Sequence, residues 1–166
     1  MTSPQRRTVP ASQKIRIERT FKASPQEVWE MWTTREGIES WWGPDGFRVE
    51  VRTLEVRPGG RLDYAMIAAA PEMVAFMKKE GMPTTSETHA TFEEVLPPRR
   101  LVLTHHTDFI PGVEPYDTTM AVEFEATAGG TKLVLLLDPM HDTTWTQRMV
   151  MGWENELGKL AKLLER

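Results

Sequence analysis

An apolar stripe at helical spacing occupies the C-terminal stretch from Thr143 to Arg166. At about 1.5 Å per residue, a helix of this length would extend roughly 30 Å, enough to cross a small sheet. A helix with one apolar face must bury that face against a second layer, which the rest of the chain has to supply. Gly152 lowers helix propensity by about 1 kcal/mol relative to Ala, which predicts that another group approaches the backbone closely there. The stripe consists of Trp145, Met149, Trp153, Leu157, Leu160 and Leu164.

The stretches before this helix supply a sheet as the second layer. Several of them alternate apolar and polar residues, which is typical of half-buried strands. Turn residues separate them, and the clearest turns are Pro58-Gly59-Gly60, Pro97-Pro98-Arg99 and Gly129-Gly130. Because the links are short, most neighbouring strands should be antiparallel. Strands are predicted at residues 14–21, 47–56, 61–68, 87–96, 100–107, 117–126 and 131–138.

Three further segments have helical signals. Ser24-Pro25-Gln26-Glu27 combines an N-cap residue, a proline at the first position and an acid in the first turn. A second short helix should follow and end at the turn Gly43-Pro44-Asp45-Gly46. Apolar residues at helical spacing from Pro71 to Glu80, followed by Gly81, predict a third helix. The segment 71–83 could serve as a lid, as a cover for a sheet edge or as an interface.

Composition limits the class of protein. The 166 residues and the 40% hydrophobic fraction suit one ordinary globular domain, predicted at 13–166 after a flexible polar tail at 1–12. A net charge of -4 leaves no surplus of basic residues for a nucleic-acid partner. The chain has no cysteine, and no apolar run is long enough to span a bilayer. We therefore expect a cytoplasmic protein.

Four local patterns occur in an order that resembles a known family. They are Ser24 to Trp29 after the first strand, Trp41-Trp42-Gly43-Pro44, the turn and strand from Pro97 to Val102, and Gly152-Trp153 on the last helix. Together they resemble the activator of heat-shock-protein-90 ATPase homologue branch of the START-like (SRPBCC) superfamily. The resemblance implies an α+β helix-grip fold. In this fold, a curved antiparallel sheet of about six or seven strands surrounds a long C-terminal helix, with two short helices after the first strand.

The same resemblance implies a cavity between sheet and helix, which members of the superfamily commonly use for hydrophobic or amphipathic small molecules. It does not imply a reaction, because carriers, receptors, cyclases and co-chaperone domains share this fold.

Strand parity gives the side chains that should face such a cavity. Pairing Leu96 with Leu101 places Phe92 opposite His105, with the apolar side chains inside. His105 is then an inward histidine that could orient a ligand or act as a general base. Core packing is the plainer alternative for each large apolar residue. The predicted ligand-binding residues are Trp41, Trp42, Tyr64, Met66, Phe92, Leu103, His105, Met120, Met149 and Trp153.

Metal and cofactor chemistry find little support in the sequence. His105 and His106 point to opposite faces of one strand. His89, His106 and Asp108 could share the outer face, but their spacing matches no zinc motif. We therefore expect no metal and no cofactor, and no catalytic residue is assigned.

Three functional hypotheses follow. The first is an intracellular, non-catalytic module that binds a hydrophobic small molecule. The second is a cyclase- or hydrolase-type enzyme, in which His105 would act with an inward Glu94 or with Asp63. The third is an interaction module, either a homodimer or a partner of a chaperone in the stress response, with the helix after Pro71 as the contact.

Overall fold

A computed structural model describes residues 14–43, 45–108 and 112–165 of the chain. The tail predicted at 1–12 lies outside these residues. Among the residues described, no helix is both long enough and apolar enough to cross a membrane. The elements are β1 (Ile15–Phe21), α1 (Pro25–Thr33), α2 (Arg35–Trp41), β2 (Phe47–Leu54), β3 (Arg61–Ala68), α3 (Pro71–Lys79), β4 (Thr85–Leu96), β5 (Arg100–Thr107), β6 (Tyr116–Thr127), β7 (Gly130–Leu137) and α4 (Thr143–Leu164).

The strands form one curved sheet in the order β1-β7-β6-β5-β4-β3-β2. Every pair of neighbours is antiparallel, as the short links predicted. The helices α1, α2 and α4 pack on one side of the sheet, which we call the inner face. The predicted α+β helix-grip fold is thereby confirmed.

Local signals fix the two short helices that follow β1. The Ser24 hydroxyl accepts a hydrogen bond from the Glu27 amide, and the Glu27 carboxylate accepts one from the Ser24 amide. Thr34 ends α1 and caps α2, because its hydroxyl accepts from the amide of Gly37. The α1–α2 corner therefore has a defined angle, which brings Trp32 and Trp41 into contact.

The two halves of α4 are buried to different extents. Leu157 and Leu160 in the C-terminal half have no exposed surface. Trp145, Met149 and Trp153 in the N-terminal half belong to the same predicted stripe, yet each is only half-buried. The apolar stripe is thus continuous in sequence but fully buried only at Leu157 and Leu160.

The predicted register between β4 and β5 is wrong. Phe92 pairs with Leu103, and His105 pairs with Ala90. Leu96 pairs with Arg100 because the register shifts between Phe92 and Glu94. An extra residue in one strand reverses the parity of all residues beyond it. Phe92, Leu101, Leu103 and His105 still share the inner face.

Gly152 does not permit a close approach, contrary to its predicted role. A Cβ atom added there would meet no atom of the described residues within 4 Å.

The third helix is present as α3, in which Met77 is buried and Phe76 is 52% exposed. Met73 of α3 lies over Gly46, where an added Cβ would come within 3.2 Å of it. This helix therefore packs on the segment before β2.

Candidate functional site

The predicted ligand-binding residues divide into two groups by burial. All ten lie on the inner face of the sheet or on the helices that cover it. Six are buried in the core: Trp41, Trp42, Tyr64, Phe92, Leu103 and Met120. The other four keep solvent-accessible surface although they face inward: Met66, His105, Met149 and Trp153.

His105 lies on the inner face of β5 between Ala90 of β4 and Thr118 of β6. Its ring is edge-on to Tyr64, with 6.5 Å between the ring centroids. Within the described part of the chain, neither ring nitrogen has a hydrogen-bond partner. Burial, followed by the charge of neighbouring His106, lowers the pKa of His105 to about 4. At neutral pH the ring is uncharged, so one nitrogen can donate a hydrogen bond and the other can accept one.

Glu156 is an inward carboxyl group that the sequence interpretation missed. It lies on α4, is 7% exposed and accepts a hydrogen bond of 2.5 Å from the Gly43 amide. Burial raises the pKa of Glu156 to about 7, although that hydrogen bond and the charge of Lys159 act in the opposite direction. Lys159 also donates to the Gly43 carbonyl at 2.6 Å. The sequence spacing could have predicted this position, since Glu156 lies three residues after Trp153 and therefore on the same helix face.

Tyr64 is a third polar group on the inner face. Its ring contacts Trp42 at 5.1 Å between centroids and lies beside His105. Burial and then the charge of Glu156 raise the pKa of its phenol, which is therefore protonated at neutral pH. The inner face thus carries a neutral imidazole, a phenol and a carboxyl group among aromatic rings.

A cluster of four tryptophans borders this polar set, and Trp153 contacts the other three. Its centroid is 5.7 Å from that of Trp32, 6.2 Å from that of Trp41 and 5.6 Å from that of Trp42. The Trp41 indole donates to the Met31 carbonyl at 2.8 Å. Among the described residues, the buried indole nitrogens of Trp32 and Trp42 find no acceptor. An unsatisfied buried donor costs about 1–3 kcal/mol.

The acids predicted to assist His105 lie on the opposite, outer face. The register shift turns Glu94 outward, where it pairs with Arg100. Asp63 also faces outward and accepts from His89 at 3.0 Å and from Arg61 at 2.8 Å. The predicted pairing of His105 with either acid is therefore wrong.

The outer face also holds the second of the adjacent histidines. His106 is the cross-strand partner of His89 and is bonded to Asp117 at 2.8 Å and Thr91 at 3.0 Å. Over residues 14–43, 45–108 and 112–165, no three His, Cys, Asp or Glu side chains are arranged to hold a metal ion.

Two surface grooves lie away from this site and contain none of the predicted residues. One, of about 450 Å³, lies between α1, α2 and the end of α4 and includes Met31 and Leu164. The other, of about 420 Å³, lies beside the turn between β6 and β7. Neither of these two grooves reaches His105.

Comparison with known proteins gives a family and a fold. The family model described as Activator of Hsp90 ATPase homolog 1-like protein matches residues 22–165. The sequence matches no curated protein.

Several solved structures resemble this one. A protein from Chromobacterium violaceum is 20% identical with a TM-score of 0.74, covering 92% of this chain and 98% of that one. A Mycobacterium smegmatis protein is 18% identical with a TM-score of 0.71, covering 98% and 96%. The AHSA1 protein of Silicibacter pomeroyi is 20% identical with a TM-score of 0.70, covering 91% and 96%.

Proposed function

This chain belongs to the Activator of Hsp90 ATPase homolog 1-like protein family, and from that premise we propose that it binds an apolar or aromatic small molecule between α4 and the sheet. The proposed location in the cell is the cytoplasm. The START-like fold usually binds ligands, and this chain keeps the architecture on which such binding depends.

The observation that carries the proposal is the accessible surface at the inner face. Met66, His105, Met149 and Trp153 face the interior but are not fully covered. The apolar side chains would supply affinity, and the unpaired ring nitrogens of His105 would orient a polar group of the ligand. Because Met149 and Trp153 are only partly covered, we place the site under the N-terminal half of α4.

The test fills this space with a larger side chain. Met149→Trp should weaken binding of the probe 2-acetylnaphthalene by at least about tenfold, because overpacking leaves no room for the ligand. Met151→Trp is the matched control, since Met151 lies on the same helix with 69% of its surface exposed. Isothermal titration calorimetry on both variants gives the comparison. Equal affinity of Met149→Trp and the unsubstituted protein would contradict the proposed site.

The enzyme hypothesis loses the acids on which it depended, because Glu94 and Asp63 lie on the outer face.

Contact with a second copy of the chain or with a chaperone is the second candidate function. It is favoured by the exposure of Phe76 (52%) and Met82 (41%). Analytical ultracentrifugation would support self-association if Phe76→Ser abolished a dimer, and a monomer at high concentration would count against it.

A further inference from the structure

Two adjacent tryptophans, Trp41 and Trp42, differ in whether the indole N–H group has a hydrogen-bond acceptor. Trp41 and Trp42 are both buried, with 0% and 3% of their surfaces exposed. The Trp41 indole donates to the Met31 carbonyl at 2.8 Å. The indole nitrogens of Trp42 and of neighbouring Trp32 have no acceptor in the part of the chain that the structure describes. Buried donors are nearly always paired, so two free donors in one cluster need an explanation.

Trp153 contacts the rings that carry these two donors and is the most exposed member of the cluster. It stacks on Trp32 with an angle of 11° between the rings, and it meets Trp42 edge-on at 81°. Trp153 is half-buried, whereas Trp32, Trp41 and Trp42 are fully buried. A ligand that displaced the Trp153 ring would therefore come next to the indoles of Trp32 and Trp42.

We propose that the ligand carries a hydrogen-bond acceptor, such as a carbonyl or carboxylate oxygen, which binds the free indole N–H groups of Trp32 and Trp42. This inference rests on the proposed function, because it names the class of molecule that the same site takes. The aromatic rings contact the apolar body of that molecule. Indole N–H is a donor only, so no other kind of polar group satisfies it.

A contact within the cluster is the competing explanation. Trp32 and Trp42 lie edge-on to each other, with 5.9 Å between centroids and 80° between planes. An indole N–H directed at a neighbouring ring makes a weak hydrogen bond that needs no ligand. The two explanations differ in what an acceptor oxygen does when it is offered to the protein.

The test uses two probes of nearly the same shape. 2-Acetylnaphthalene carries a carbonyl oxygen where 2-isopropenylnaphthalene carries a methylene group. We expect the ketone to bind roughly tenfold more tightly, the effect of about one buried hydrogen bond. In ¹H–¹⁵N spectra of the unsubstituted protein, the ketone should move the indole N–H resonances of Trp32 and Trp42 downfield. The Trp41 resonance, whose N–H is already bonded, should not move downfield.

Variants separate the N–H group from the ring. Trp42→Phe keeps an aromatic ring and should reduce the preference for the ketone to about threefold or less. Trp29→Phe, at a buried position outside the predicted ligand-binding residues, should keep that preference. Binding of neither probe would overturn both this inference and the proposed function. Equal binding of the two probes, with the Trp32 and Trp42 resonances unmoved by the ketone, would overturn the inference alone. The spectra of the unsubstituted protein decide the question even if Trp42→Phe does not fold.

Discussion

At the scale of single residues, Glu156 shows how a buried charge links stability to pH. Its carboxyl group has little exposed surface, and its partners are the Gly43 amide and the nearby Lys159. The ordinary carboxyl pKa of 4.5 rises to about 7 in the folded protein. The folded state therefore retains the Glu156 proton at pH values where the unfolded chain has released it.

The sign of the effect follows from this difference. Between about pH 4.5 and pH 7, folding takes up a proton, so the contribution of Glu156 to the free energy of unfolding falls as pH rises. Glu156→Gln keeps an acceptor for the Gly43 amide but cannot be charged. Relative to the unsubstituted protein, its free energy of unfolding should rise by on the order of 2–3 kcal/mol between about pH 5 and pH 8.

Urea unfolding at a series of pH values measures this difference. Glu154→Gln is the matched control, because Glu154 is exposed on the same helix. Its difference from the unsubstituted protein should stay nearly constant with pH. A difference for Glu156→Gln that did not change with pH would show that the carboxyl group is not held protonated.

Residue by residue, the sequence predicted apolar positions well and polar partners poorly. The inward direction of His105 followed from strand parity and is confirmed by its inner-face pairing. Glu156 was missed because its charge suggests solvent, although its spacing places it beside Trp153 on the buried face. The free indole nitrogens of Trp32 and Trp42 could not be predicted, since hydrogen-bond partners depend on three-dimensional packing.

At the scale of elements, local signals predicted where helices and strands begin and end. The Ser24 capping box and the Gly129-Gly130 turn each act over a few residues and need no tertiary information. The register shift at Phe92 and Glu94 is different, because no local pattern marks a bulge there. That one residue moved Glu94 from the inner to the outer face and removed the predicted acid beside His105.

Two glycines in helices, Gly152 and Gly37, should respond oppositely to substitution by alanine in their effect on the free energy of unfolding. Gly152 of α4 has open space where a Cβ would lie, so Gly152→Ala should raise the free energy of unfolding by about 0.5–1 kcal/mol through helix propensity. At Gly37 of α2, a Cβ would lie 2.6 Å from the Glu30 carbonyl oxygen. Gly37→Ala should therefore be destabilising. Chemical denaturation measures both, and a loss of stability in Gly152→Ala would contradict this account.

At the scale of the whole molecule, the two faces of the sheet have different roles. The outer face carries exposed ion pairs such as Arg52 with Glu87 and Arg16 with Glu18. Exposed pairs of this kind contribute about 0–1 kcal/mol each, so they account for a solvated surface more than for stability. The unpaired imidazole of His105, the carboxyl group of Glu156 and the free indole N–H groups of Trp32 and Trp42 all lie on the inner side. This concentration is why we place the function there.

The two halves of α4 also differ in how firmly they are held. Its C-terminal half is bound to the segment after α2, because Asn155 accepts from the Asp45 amide at 2.9 Å and Glu156 accepts from the Gly43 amide. Leu157 and Leu160 add full burial to these hydrogen bonds. The N-terminal half, with Met149 and Trp153, has only partly covered side chains. Local opening should therefore begin in the N-terminal half.

Hydrogen exchange tests this division on the intact protein. Amides at residues 147–153 should exchange faster than those at 157–163, because fewer buried contacts must break to expose them. Saturating 2-acetylnaphthalene should slow exchange mainly at 147–153, by up to about a hundredfold at a ligand concentration one hundred times the Kd. The amides of α3 (Pro71–Lys79), which includes none of the predicted ligand-binding residues, provide an internal control. If both halves of α4 exchanged equally and the probe slowed only the C-terminal half, the ligand could not lie beneath Met149 and Trp153.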